Sequence, residues 1–470
     1  MAMKWGANPA GQIYHGQFIC VILTSKTGFT MLRAEHKEEK MTSRLRPFMV
    51  SLMTGRRLQK IQRGLHELRR RMSGRSHQVI YFHQIDDPYS HLLVQALMRI
   101  QSSYDIDLQL RIVPSPSDEV APERAALENY SRRDACAIAP FYDLQFADPG
   151  HQPGRDICQL AVRALVATGN KVAAAVDIGT ALWADDSQAL SKLPLVSDSL
   201  ADEHLENGKR EREALGHYLG GTLYYAGEWY WGVDRLPYLE ERLTQAGLQR
   251  SGHRQVVQFQ TRPEFMSKPA QRRLTLEFYP SIRSPYSYIS MPETFALPEH
   301  YPVDLVVRPV LPMVMRNLPV PPIKGRYIIR DTKREADRIG VPFGHVFDPV
   351  GDPVRRCYSL FAHAEESGKG KELLLNFCQM AWSEGIDVGS DQGIKAVVER
   401  AGLDWDAASE VIDNTDWEGP VEESRLQLMA SGLWGVPSYR LLDDKGKEIF
   451  SCWGRDRIWL LAHEIQKALV

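Results

Sequence analysis

Two places in the chain set a capping side chain directly before a proline: Asp87-Pro88-Tyr89-Ser90 and Ser284-Pro285-Tyr286-Ser287. Proline is favoured at the first helical position, and serine or aspartate just before it. At Ser284-Pro285 the hydroxyl and the free N–H groups of the first turn would point at one spot. The positive end of the helix dipole makes that spot favourable for an anion. A thiolate is such an anion, and thiol pKa values fall at helix N-termini. A Ser-Pro pair alone is also an ordinary structural cap. Asp87 keeps the cap, but its charge beside a sulfur would oppose thiolate formation, because like charges disfavour each other's ionised forms. Chemistry is therefore expected at residue 284 and not at residue 87.

Both pairs follow an apolar strand pattern, Val79-Ile80-Tyr81-Phe82 in one half and Leu274-Thr275-Leu276-Glu277-Phe278 in the other. A second match lies near the end of each half, Trp231-Gly232-Val233-Asp234-Arg235 against Trp453-Gly454-Arg455-Asp456-Arg457. A repeat this long reads as a duplicated domain, not as a solenoid unit. Each half then reads strand, helix, strand, a long helical stretch, two strands and a final helix. Asp107–Val113 and Val303–Val307 are the second strands. The hairpins are Thr222–Tyr225 with Glu228–Trp231, and Ser438–Leu442 with Glu448–Cys452. Helices are expected over about 120–215 and about 328–430, with a Pro-rich loop from Arg308 to Lys324 found only in the second half. A β-α-β unit followed by β-β-α around a helical insertion is the pattern of a thioredoxin-like sheet. The expected fold class is α/β, with two tandem thioredoxin-like domains that each carry a helical insertion. The domains are 77–248 and 272–470, joined by a polar linker at 249–271.

Composition fits a soluble globular protein, with 43% apolar and 25% charged residues and a formal net charge of −2. That balance gives no nucleic-acid signature, and no nucleic-acid partner is expected. Six scattered cysteines show no C-x-x-C and no zinc spacing, which points to a reduced, cytoplasmic protein. No metal site is expected: His83, Asp86, Asp87 and His91 fall on different elements. Residues 1–40 show no period and are expected to be disordered, with Met41 an alternative start to Met1. Residues 41–76 hold ten basic residues and one acid, Glu67. Leu58, Ile61, Leu65, Leu68 and Met72 step along one helix face there. Such a helix either packs its stripe on the body with its arginines solvated, or touches anionic lipid or RNA. A weak membrane-surface contact through 44–75 belongs to the second reading.

The second half resembles the kappa-class glutathione transferases and the 2-hydroxychromene-2-carboxylate isomerases, within the DsbA-like thioredoxin superfamily. The resemblance covers about 273–468. It rests on Ser284-Pro285-Tyr286-Ser287-Tyr288, Arg308-Pro309-Val310-Leu311, Asn317 with Pro319, Pro321, Pro322 and Lys324, Arg326–Asp331, Gly340-Val341-Pro342-Phe343, Gly432–Ser438 and Trp453–Arg457. It implies glutathione as co-substrate, with Ser284 donating a hydrogen bond to the thiolate. Val436-Pro437 would form a cis-proline loop that pairs with the tripeptide backbone. Asp456 would receive the γ-glutamyl ammonium, with Arg455 beside it in place of the small residue often found there. Asn317 and Lys324 would face the sulfur or the substrate, Lys324 offering charge to a carboxylate. The substrate would be a small electrophile or an aromatic carboxylate.

In the first half Gly221 stands opposite Pro437 and Leu127 opposite Lys324. Together with Asp87, these changes point to an inactive copy, making the molecule a monomeric pseudo-dimer or a homodimer. The expected function is a glutathione-dependent transferase or isomerase acting at Ser284. Disulfide exchange is disfavoured because it needs two nearby sulfurs. Cys452, on a strand, is expected to be inert. A non-catalytic binding protein is the remaining alternative.

Overall fold

The computed structural model describes residues 51, 55–264 and 273–469. The expectation for 1–40, most of 41–54 and part of the linker lie outside the described residues. The first sheet contains β1 (Gln78–Gln84), β2 (Asp107–Val113), β3 (Thr222–Tyr225) and β4 (Glu228–Trp231), in the order β2-β1-β3-β4. The second contains β5 (Leu274–Tyr279), β6 (Val303–Val307), β7 (Ser438–Leu442) and β8 (Glu448–Trp453), in the order β6-β5-β7-β8. In each sheet the first two strands are parallel and the hairpin is antiparallel. A parallel pair needs a crossover, and the helices Pro88–Ser103 and Pro285–Phe295 supply it. Val79, Ile80, Tyr81 and Phe82 are all buried, so β1 is covered on both faces. That is why this stretch reads as a continuous apolar run.

The register positions the site. Tyr279 at the end of β5 pairs with Ser438 at the start of β7, and Ser438 pairs with Trp453. Residues 435–437 therefore lie beside the turn that leads from β5 to Ser284. One expected boundary moves. The helix placed from 328 starts at Pro322 and runs to Ile339, so Lys324 lies in its first turn and not in a loop. Proline at the first helical position explains the early start, since its missing N–H would have no partner there in any case. Asp456 lies in a short 3-10 turn, Arg455–Arg457, just ahead of the last helix Ile458–Leu469.

Each half has its own apolar core, yet the halves also enter one another. Trp459 and Leu460 of the last helix belong to the core of the first half. Tyr327 is buried against Ile80, Phe82 and Trp229 of the first half. Tyr130 is buried against Tyr279, Val310 and Leu433 of the second. Tyr130 Oη accepts from the Trp453 N–H at 2.9 Å, and Arg334 donates to the Trp229 carbonyl at 2.8 Å. Each half thus grips the outer strand of the other. Glu240 fixes the start of the linker by accepting from the N–H groups of Val256 and Val257, both at 2.8 Å.

The helix expected near 58–72 runs from Arg56 to Met72. It does not pack its stripe on the body, as one of the two readings held. Ile61, Leu65, Leu68 and Met72 are exposed, and Arg63 turns inward to grip Glu228 through two bonds of 2.6 and 3.0 Å. The helix therefore meets the first hairpin through Arg63 and not through the apolar stripe.

Candidate active site

Ser284 caps the helix Pro285–Phe295, and its Oγ accepts from the Ser287 N–H at 3.2 Å. Among the described residues no acceptor takes the hydroxyl hydrogen, so the capping oxygen is used while its proton remains available. The Val436–Pro437 peptide is cis, and among the described residues it is the one cis bond. The Pro437 carbonyl accepts from Gly454 at 2.8 Å, and Ser438 Oγ donates to the Gly435 carbonyl at 2.8 Å. These bonds hold the loop while the N–H and C=O of Val436 take no partner among the described residues. An extended peptide edge could use both. Gly435 is required by space: a Cβ there would come within 2.1 Å of the Trp453 ring.

Ser284, Lys324, Val436, Pro437, Arg455 and Asp456 all line one cavity of about 540 Å³. The first half lines it too, through Asp87, Tyr89, Val120 and Leu127 among others. Lys324 donates to the Val120 carbonyl at 2.9 Å, and no carboxylate pairs with it among the described residues. Burial pushes its ammonium down to about 8, because the charged form loses solvation. A lysine in this condition gains from an anionic ligand.

Three expected roles meet a different geometry. Asn317 is exposed, does not line the cavity and ends a short 3-10 turn in the left-handed conformation. Asparagine tolerates that conformation, which accounts for the residue without a ligand. Arg455 is committed to Glu293 at 3.0 Å and Glu335 at 3.1 Å. Asp456 already faces a cation, Arg235 of the first half, at 3.1 Å. Burial pushes the Asp456 carboxyl up, but Arg235, Arg457 and Arg455 outweigh it and hold it below the usual range.

Arg235 was missed as a site residue. Besides Asp456 it meets Asp331 at 2.8 Å, and Tyr286 donates to the same carboxylate at 2.7 Å. The mirror arrangement joins Arg457 to Asp134 at 2.7 Å and Asp234 at 3.0 Å, with Tyr89 donating to Asp134 at 2.7 Å. The signal was present in the matched Trp-Gly-x-Asp-Arg ends, but the pairing across halves was not.

In the first half Asp87 accepts from the Tyr89 and Ser90 N–H groups and from Ser90 Oγ at 2.7 Å. Burial raises its carboxyl to about 6. Gly221, at left-handed φ of 60°, lies so close that a Cβ would be 3.0 Å from Asp87. His83 and His91 are buried, and burial lowers them to about 3 and about 4, so both are neutral core histidines. Among the described residues no cysteine lines the cavity. Cys357, Cys378 and Cys452 are buried, and burial pushes their thiols far up.

Residues 275–466 match the DsbA-like thioredoxin domain. No curated protein matches the chain. Among solved structures, a 2-hydroxychromene-2-carboxylate isomerase is 21% identical over 41% of this chain and 95% of its own, with a TM-score of 0.35. The cytosolic disulfide reductase DsbM from Pseudomonas aeruginosa is 20% identical over 42% of this chain and 100% of its own, with a TM-score of 0.32. A probable DsbA oxidoreductase from Streptomyces coelicolor is 18% identical over 42% and 88%, with a TM-score of 0.32.

Proposed function

We propose that the DsbA-like thioredoxin domain at residues 275–466 binds glutathione and acts as a glutathione-dependent transferase or isomerase, with Ser284 holding the thiolate. The observation that carries this reading is the state of Ser284: its oxygen caps the helix, its proton has no acceptor among the described residues, and it lines the cavity. The hydroxyl and the first-turn N–H groups stabilise a thiolate by charge-assisted hydrogen bonds and the helix dipole. The N–H and C=O of Val436, without partners among the described residues, offer a strand-like edge to the tripeptide. In the isomerase form, the thiolate sulfur adds to a conjugated double bond and its electron pair moves to the conjugated oxygen. The former double bond rotates, then the C–S bond breaks and the thiolate returns. Nothing is oxidised, so the step needs no second sulfur.

Lys324 would meet the negative charge of the substrate, a small electrophile or an aromatic carboxylate. Asp456 would hold the γ-glutamyl ammonium only by sharing its carboxylate with Arg235, so the proposal places the anchoring on Ser284 and Val436. The first half would be a degenerate copy that closes the cavity, so that one chain does the work of a dimer. The reciprocal Arg235 and Arg457 contacts support this. Disulfide exchange is disfavoured because no cysteine among the described residues lines the cavity. Calorimetric titration of the full chain with glutathione tests the reading. Saturable binding lost in Ser284→Asp is expected, and no binding to the native chain would leave a non-catalytic binding protein.

A further inference from the structure

The helix Arg56–Met72 turns opposite faces to the body and to water. Gln59, Arg63, His66 and Arg70 are half-buried. Arg63 is held by Glu228, and His66 lies against the hairpin turn so closely that a Cβ on Gly227 would be 2.6 Å from its ring. On the other side Ile61, Leu65, Leu68 and Met72 are 58%, 48%, 54% and 81% exposed. At about 100° per residue these four side chains fall within about 60° of one another, nearly opposite Arg63 and Arg70. Lys60 and Arg71 flank the stripe on one side and Arg69 on the other, with Arg57 at the first turn and Arg75 just beyond the last; all are exposed.

We propose that this helix seats the protein on an anionic phospholipid surface, its apolar stripe entering the acyl boundary and its flanking lysine and arginines meeting the headgroups. An apolar stripe with basic flanks is the arrangement of helices that lie in the interface plane. The long basic side chains reach outward to phosphate while their stems lie along the apolar layer.

The alternatives account for less. Nucleic acid would engage the basic side chains but leave four apolar side chains in water. A second copy would set basic flank against basic flank, because the one acid, Glu67, is already taken by Arg70 and Arg71 at 2.8 and 2.6 Å. The Arg63–Glu228 pair explains how the stripe is kept outward: the body binds the helix by its polar face.

Co-sedimentation of the full chain with phosphatidylcholine vesicles, with and without phosphatidylserine, tests the proposal. Binding is expected only to the anionic vesicles, and to weaken with salt. Leu65→Glu with Leu68→Glu should reduce partitioning by at least about tenfold. Arg57→Glu with Lys60→Glu should reduce it by about fivefold or more per residue. These side chains are exposed, so the thermal unfolding of both variants should match the native chain. No binding to anionic vesicles overturns the proposal. Binding indifferent to the Leu65/Leu68 exchange overturns it as well, since only charge would then be at work. Self-association lost in that variant, without vesicle binding, assigns the stripe to a second copy instead. Binding to RNA but not to vesicles assigns the basic flank to nucleic acid.

Discussion

Arg235 Nη1 stands 3.1 Å from Asp456 Oδ1, so the base that ends the first half holds the acid that ends the second. The relation is returned by Arg457 and Asp234 at 3.0 Å. Each arginine also reaches a buried aspartate on a helix of the opposite half, Asp331 or Asp134. The cavity beside Ser284 therefore depends on both halves.

Replacing Arg235 with Met leaves Asp331 and Asp456 without their main partner, a change that costs about 3–5 kcal/mol when a buried pair is broken. Urea unfolding of Arg235→Met should show that loss. Asp331 and Asp456 are held below the usual carboxylate range by Arg235, against the opposing effect of burial. Their contribution is complete above the unfolded carboxylate pKa, about 4, and disappears as pH falls through the folded values. In Arg235→Met the acid limb of the stability profile should be less steep. An unchanged acid limb would show that the pair does not couple folding to pH.

Ser284→Ala removes one donor but keeps the helix dipole. The pKa of bound glutathione should rise by about one unit, worth about 1.4 kcal/mol. Ser284→Asp copies the first half and should abolish thiolate formation near neutral pH. Ultraviolet thiolate absorbance against pH reads both. Exchanges at Asp87 should leave the thiol pKa nearly unchanged.

Lys324, lowered by burial to about 8, should tie the binding of an anionic substrate to pH. Affinity is expected to fall as pH rises through about 8, where the ammonium loses its proton. Stability should move the opposite way: above about 8 the unfolded chain binds more protons than the folded one, so folding is favoured. Lys324→Met should flatten both profiles. A pH-independent affinity in the native chain would remove Lys324 from substrate recognition.

Gly435→Ala would drive a Cβ to within 2.1 Å of the Trp453 ring. Overpacking of this kind costs about 1–3 kcal/mol. Trp453 and Trp434 lie 5.3 Å apart, so intrinsic fluorescence should change together with glutathione affinity. Retained affinity and an unchanged spectrum would mean that the loop yields freely.

Thiol labelling should separate the described cysteines. Cys136 is exposed and should alkylate in the native state, whereas Cys357, Cys378 and Cys452 should wait for unfolding. Cys158, half-buried and pushed up to about 12 by burial, should react slowly. Insulin reduction should stay at background in the native chain and in Cys136→Ser with Cys20→Ser. Dithiol turnover in the native chain would restore the disulfide-exchange reading.

Local chemistry made much of this readable from the sequence. Asp87-Pro88 and Ser284-Pro285 announce helix starts because cap and proline preferences act within a few residues. The apolar run Val79–Phe82 announces a strand covered on both faces. The cap at Ser284 follows from signals of that range, whereas the Val436-Pro437 loop was implied by the family resemblance. Tertiary structure decided what lies between the halves. No local pattern says that Arg235 will occupy Asp456, that Val120 will receive Lys324, or that Tyr130 and Tyr327 will each be buried in the opposite half. Nor did periodicity say which face of Arg56–Met72 turns outward. The stripe marks an apolar side, but which face meets the body is decided where Arg63 and His66 contact Glu228 and Gly227, more than 150 residues away.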